Sequence, residues 1–219
     1  MSSFPNSPRL LKGGLVQIDP VSGAVLGVIA LQYNPDSLSR TLQVQSAPQT
    51  PGDRSQALRL TGPPVETWKL EAEIDATDRL EHPKEHPTTA EVGLHPELAA
   101  LEALLYPKSA DIVANDALAR GGTLEIIPME APLTLFVWSK ERVLPVRLTD
   151  FSVTEEAFDP ALNPIRAKVS LGLRVLNVND LGVSTRGGSL FMAYHRAKER
   201  LAARAPGAGL GELGLTGIP

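Results

Sequence analysis

The sequence predicts a mainly β fold, a barrel or curled sandwich with one internal helix and a C-terminal helix, and three observations carry that prediction. Gly supplies 18 and Pro 19 of the 219 residues, spread along the chain, which implies many turns between short elements. Several segments alternate apolar and polar residues with period two, as half-buried strands do. Helical spacing of apolar residues replaces that alternation only in the middle of the chain and near its end.

Taken in order, the pattern from Gly14 is Leu-Val-Gln-Ile-Asp, then Pro20-Val-Ser-Gly23, then Val25 to Tyr33, two apolar runs separated by a turn that read as a β-hairpin. The second run is apolar on both faces, so it is expected at the centre of a sheet. Leu38 to Gln45 continues as a third strand. Ala47 to Ala57 is polar and Pro/Gly-containing, a loop. The clearest alternation follows, with Trp68, Leu70, Ala72 and Ile74 on one face and Lys69, Glu71, Glu73 and Asp75 on the other.

Leu94, Leu98, Leu101 and Leu105 recur at helical spacing and Pro96 suits a first turn, so Leu94 to Tyr106 is predicted as the internal helix, with further helical turns possible from Ser109 to Arg120. Strands are then expected over Thr123 to Ile127, Leu133 to Ser139, Arg142 to Thr154 and Ile165 to Val178. The apolar phase of the third of these shifts from Leu144, Val146 and Leu148 to Phe151 and Val153, which predicts a bulge near Thr149-Asp150. Such a bend lets a sheet curl. From Ser189 a terminal helix carries Phe191, Tyr194 and Leu201 on one stripe, and a Gly-rich tail follows from Pro206. The organisation is an extension over 1–9, a β domain over 10–178, and a helix with tail over 179–219.

Charge and composition narrow the function. With 21 basic against 25 acidic residues the net charge is −4, which argues against a dedicated nucleic-acid binder. The absence of cysteine removes disulfides, thiolate metal sites and cysteine nucleophiles. No apolar leader is evident near Met1, and the run Ala24 to Leu31 is too short to cross a bilayer, so a soluble chain assembled in the cytoplasm is expected.

Chemistry-bearing patterns are few. Gly209-Leu-Gly211-Glu-Leu-Gly214 matches a dinucleotide fingerprint in letters, but no strand precedes it and no helix follows. His82, His86 and His95 cluster with Glu81 and Glu85, yet Pro83 and Pro87 prevent the helix that would align the first two; no metal or other cofactor is expected. Glu155 and Glu156 are adjacent on a strand and point to opposite faces, so they do not form an acid/base pair. No G-x-S-x-G elbow is present. The basic terminal helix reads as a packing or partner-docking element.

Two segments resemble a known family. Leu31-Gln-Tyr-Asn-Pro-Asp-Ser-Leu38, directly after the hairpin, is similar to the hydrophobic-Q-Y-N-P-x-x-L element of the tube-adaptor proteins of contractile injection systems. Leu135-Phe-Val-Trp-Ser139 with Phe158-Asp-Pro-Ala-Leu-Asn-Pro-Ile-Arg-Ala167 resembles that family's F-x-W-G and F-x-x-x-G-x-P-x-R-A strands. The chain departs from the pattern at Ser139 and Asn163, where glycines are usual, and the LysM module that many members carry is not expected after Val178.

The resemblance implies a tube-protein-like β-barrel and a non-enzymatic baseplate component. Copies of it form a ring, usually of six, between the spike protein and the inner tube protein. Other baseplate subunits are expected partners. The ring assembles in the cytoplasm within a particle that is released in some systems. Interface and motif candidates are Tyr33, Asn34, Pro35, Trp138, Phe158, Asp159, Pro164, Arg166 and Arg174. Phe151 and Phe158 are expected as core anchors, and Asn163 as the left-handed residue of the turn before Pro164. The acidic set Glu66, Glu71, Glu73 and Asp75 and the basic set Arg166, Lys168 and Arg174 are expected as opposite-signed strand faces that meet between subunits or line a lumen. Alternatives are an inner-tube building block, a peptidoglycan-binding hub, or a metal-dependent enzyme using the three histidines.

Overall fold

Seven strands form one antiparallel sheet in a computed structural model that describes residues 10–46, 59–121 and 131–218. They are β1 Gly14–Ile18, β2 Val25–Ala30, β3 Leu38–Gln43, β4 Val65–Asp75, β5 Leu133–Ser139, β6 Arg142–Phe158 and β7 Pro164–Val175, in spatial order β2-β1-β5-β6-β7-β4-β3. The helices are α1 Thr77–Leu80, α2 Pro87–Val92, α3 His95–Glu102, α4 Ser109–Arg120, α5 Val178–Leu181 and α6 Arg186–Ala202. The predicted strand at 123–127 and the loop at 47–57 lie outside the described residues.

The sheet is open, which corrects the expectation of a barrel. Its edges, β2 and β3, are consecutive in sequence and joined only by residues 31–37. Eight residue steps reach at most about 28 Å fully extended, while six strand spacings of a flat sheet span about 29 Å. The connector is not extended, because the Leu31 N–H donates to the Gly13 carbonyl and Gln32 is held at Asp75. The sheet must therefore curl, and the bulge between Leu148 and Asp150, where the sequence placed it, bends β6.

The expectation of a central second strand is also corrected. β2 is an edge strand, with Val25, Leu26 and Val28 exposed at 63%, 57% and 65%. Apolarity on both faces is compatible with a strand awaiting a neighbour as well as with one already buried, and periodicity does not separate the two.

Alternation in β4 and β7 builds the core. Trp68, Leu70, Ala72 and Ile74 face Ala167, Val169, Leu171 and Leu173 along the curled inner surface, joined by Leu15, Phe136, Leu144 and Val146. Leu94, Leu98 and Leu101 at α3 and Phe191 and Tyr194 of α6 pack against the same cluster. A smaller cluster of Ile18, Leu133 and Leu135 occupies the other face of β1 and β5, under Leu181 and Leu190.

The predicted helix over 94–106 ends early, at Glu102 of α3, with Leu105 exposed; the turns expected from Ser109 to Arg120 form α4, and α1 and α2 were not anticipated. No helix runs through His82 and His86, and α2 begins only at Pro87, where a first helical turn has no N–H to lose. α6 begins at Arg186, capped by the Thr185 hydroxyl accepting from the Gly188 N–H, and Leu201 lies outside its buried stripe. The last strand ends at Val175, and Val178 opens α5 behind an Asn177–Asp180 capping box.

Candidate functional site

The segment 31–38 owes its shape to two side-chain amides. Gln32 Nε2 donates to the Asp75 carbonyl at 2.8 Å and its Oε1 accepts from the Asp75 N–H at 3.0 Å, a two-way pairing like that of a neighbouring strand. Asn34 does the same on the other side, accepting from the Gly13 N–H at 2.9 Å and donating to the Leu11 carbonyl at 2.8 Å. Pro35, half-buried, follows immediately. Gln32 thus joins the β2 end of the sheet to the β4 end, and Asn34 pins the chain entering β1. Tyr33 between them is left half exposed.

Tyr33 and Arg166 converge. With Glu73, Asp75, Glu156 and Lys168 they line an open depression of ≈ 360 Å³ on the outer face of β4, β7 and β6. Arg166 lies opposite Asp75 on β4 and opposite Glu156 on β6, and its Nε donates to Asp75 Oδ2 at 2.8 Å. Lys168 approaches Glu156 at 3.6 Å. Partial burial pushes the Asp75 carboxyl up, but hydrogen bonds from Thr77 and the Arg166 guanidinium outweigh it and hold its pKa below the ordinary value. Held ionised, Asp75 is unsuited to act as a general acid near neutral pH. The expected opposite-signed faces therefore share one face of mixed charge, on which Asp75 pairs with Arg166 and Lys168 with Glu156.

The other motif residues divide. Trp138 stacks on Phe136 with ring centroids 6.0 Å apart and packs over Gly13, where an added Cβ would lie 2.5 Å from its ring. It thereby shares Gly13 with Asn34. Asp159 organises the β6–β7 turn, accepting from the N–H groups of Ala161 and Asn163 at 2.8 Å each and from the Asn163 side chain at 2.8 Å. The Asn163 bonds, followed by that of Ala161, hold the Asp159 carboxyl below its usual pKa.

Asn163 also donates to the Glu91 carbonyl, and the Pro164 carbonyl accepts from Leu94 N–H, fixing α2 and α3 to this turn. Gly93, at φ +58°, runs so close to Pro164 that a side chain there would strike its carbonyl. The left-handed residue of the turn is Leu162, at φ 67°, not Asn163, whose side chain is used as a donor instead. Phe158 is half exposed and anchors no core, whereas Phe151 is partly buried against it. Arg174, eight residues along β7 from Arg166 and so about 26 Å away, pairs with Asp180 at 2.8 Å.

Sequence reasoning put Glu66 on the wrong face, among the exposed acidic residues. It shares the parity of Trp68, not of Glu71, so it points inward and is 3% exposed. Its Oε1 accepts from Trp68 Nε1 at 3.0 Å and from the Tyr194 hydroxyl at 2.7 Å, and Oε2 accepts from Lys198 Nζ at 2.7 Å. Arg40 on β3 lies 3.9 Å from it and 5.4 Å above the Trp68 ring. Burial, then the bond to Glu66, push the Tyr194 pKa well above that of a free phenol. The signal was in the sequence: an acidic residue two before Trp68 on the apolar face, and Lys198 one helical turn after Tyr194. The cluster ties α6 to β4.

Among the described residues no three His, Asp or Glu side chains converge in a way that could hold a metal ion, and no helix is long and apolar enough to cross a membrane. Comparison with protein-family models and with curated proteins finds no match for the chain.

Proposed function

We propose that the chain is a structural baseplate component of a contractile, phage-tail-like injection particle, a ring-forming adaptor that joins the spike to the inner tube and has no catalytic step of its own. The observation that carries this reading is the open sheet with an uncovered apolar edge. Val28 lies opposite Val16 and Val25 opposite Ile18, so the apolar band under Leu181 and Leu190 continues past those residues onto β2, where nothing among the described residues covers it. β3 is the opposite edge strand, and no other strand among the described residues pairs with its outer side. Pairing β2 of one copy with β3 of the next repeats head to tail and forms a ring where the rotation between copies closes.

Covering three aliphatic side chains, each somewhat more than half exposed, is worth roughly 3–5 kcal/mol per junction before association costs. The family resemblance supplies the rest: six copies as the usual number, and the spike protein, the inner tube protein and other baseplate subunits as neighbours. The residues that carry that resemblance serve architecture in this chain. Gln32, Asn34 and Trp138 hold the rim of the curl, and Arg166 and Asp75 lock β7 to β4. Val25→Asp/Val28→Asp in the producing cell tests the proposal. Particles should fail to assemble while the purified variant unfolds at the wild-type temperature. Normal particles from the variant, or from cells lacking the chain, would end the proposal.

A further inference from the structure

We propose that the groove between α6 and the β5–β6 turn receives residues 205–218 of a second copy of this chain. The groove, ≈ 310 Å³, has an apolar floor that includes Val143, Leu190 and Ala197 and a cationic rim of Lys140, Arg196 and Arg200. Arg200 is offset by Glu141 at 3.3 Å. Among the described residues Lys140 and Arg196 have no ion-pair partner. The groove therefore suits an apolar segment with an acidic member.

The chain carries such a segment. Residues 205–218 hold Leu210, Leu213, Leu215 and Ile218, all exposed, and Glu212 as their sole charged side chain. A Cβ placed at Gly207, Gly209, Gly211, Gly214 or Gly217 would meet nothing within 4 Å among the described residues, and residues 205–218 are exposed throughout. It nevertheless has local form: the Leu215 N–H donates to the Leu210 carbonyl around a short 3-10 turn, Leu210–Leu213. None of the groove-lining residues comes from it. The match of an apolar floor and cationic rim with four aliphatic side chains and Glu212 points to this segment of a neighbouring copy as the occupant. The inference stands apart from the particle assignment, since any self-association could bring the two together.

The cysteine-free sequence makes the test direct. Ala193→Cys, exposed in the groove lining, is mixed with Leu213→Cys under mild oxidation, and Leu118→Cys on exposed α4 replaces Ala193→Cys in a control. A disulfide between the two variants above the control level is expected. In the Ala193→Cys/Leu213→Cys chain the bond should again link copies. A purely intrachain bond there, or no bond above control, overturns the proposal. A labelled peptide of residues 205–218 should bind the full-length chain, and Arg196→Glu/Arg200→Glu should weaken it on the order of tenfold. Unchanged binding, or none to the wild type, also overturns it.

Discussion

Glu66→Ala removes the acceptor that three donors share. Trp68 Nε1 and the Tyr194 hydroxyl are buried and would be left without a partner at about 1–3 kcal/mol each. Lys198 is about one-third exposed and can return to water, so its share is on the order of 1 kcal/mol or less. The expected loss is about 4 kcal/mol, within the range of roughly 3–5 for stranding one partner of a buried pair. At about 2–4 °C per kcal/mol for a chain of this size, Tm should fall by roughly 10 °C. Urea unfolding followed by tryptophan fluorescence measures it, with Trp68 reporting on the site itself. Glu66→Gln keeps one acceptor and should lose about half as much. In a double-mutant cycle with Tyr194→Phe the losses should be non-additive by about 0.5–3 kcal/mol. A loss below about 1 kcal/mol for Glu66→Ala would refute the reasoning, since it would mean that the donors are satisfied elsewhere or that α6 does not sit on β4.

Gln32→Ala deletes both bonds to Asp75 and should cost about 1–3 kcal/mol, with faster hydrogen exchange at the Asp75 amide; unchanged exchange would show that the side chain does not hold the curl. Leu162→Gly relieves a left-handed conformation at an exposed position and should stabilise by about 1 kcal/mol, seen as a higher urea midpoint. The carboxyls of Asp75 and Asp159 both titrate below the ordinary aspartate range in the folded chain, so the unfolded chain binds protons first as pH falls. Their stabilising contribution is complete above about pH 4 to 5 and is lost as pH drops through the native values. Urea midpoints should therefore decline below that window, and Asp159→Asn should flatten the decline. Equal slopes for variant and wild type would contradict it.

Much of the sheet was legible because β4 and β7 carry uninterrupted alternation over buried partners, and the phase change after Leu148 pointed to a bulge or bend where the register does shift. What the sequence hid was which strands end the sheet. β2 looks central because its apolar side chains are real, but they face open surface, and a single chain's pattern does not say whether burial comes from within or from a neighbour. Closure was misread for a related reason: Gln32 supplies by side chain what a barrel supplies by backbone, and a side-chain bridge leaves no periodic trace. Glu66 was grouped with Glu71 and Glu73 by charge when strand parity places it with Trp68. At the β6–β7 turn, Asn163 was given the positive φ by propensity, whereas its amide is needed by Asp159 and Glu91, and Leu162 takes the strain.

Electron cryomicroscopy of particles from producing cells, with this chain tagged, tests most directly whether open sheet edges join copies at the junction of spike and tube. A closed ring is expected there, in which β2 of each copy runs beside β3 of the next and Val25 and Val28 are covered. Complete particles without the chain, or copies whose β2 and β3 edges both face solvent, would contradict it.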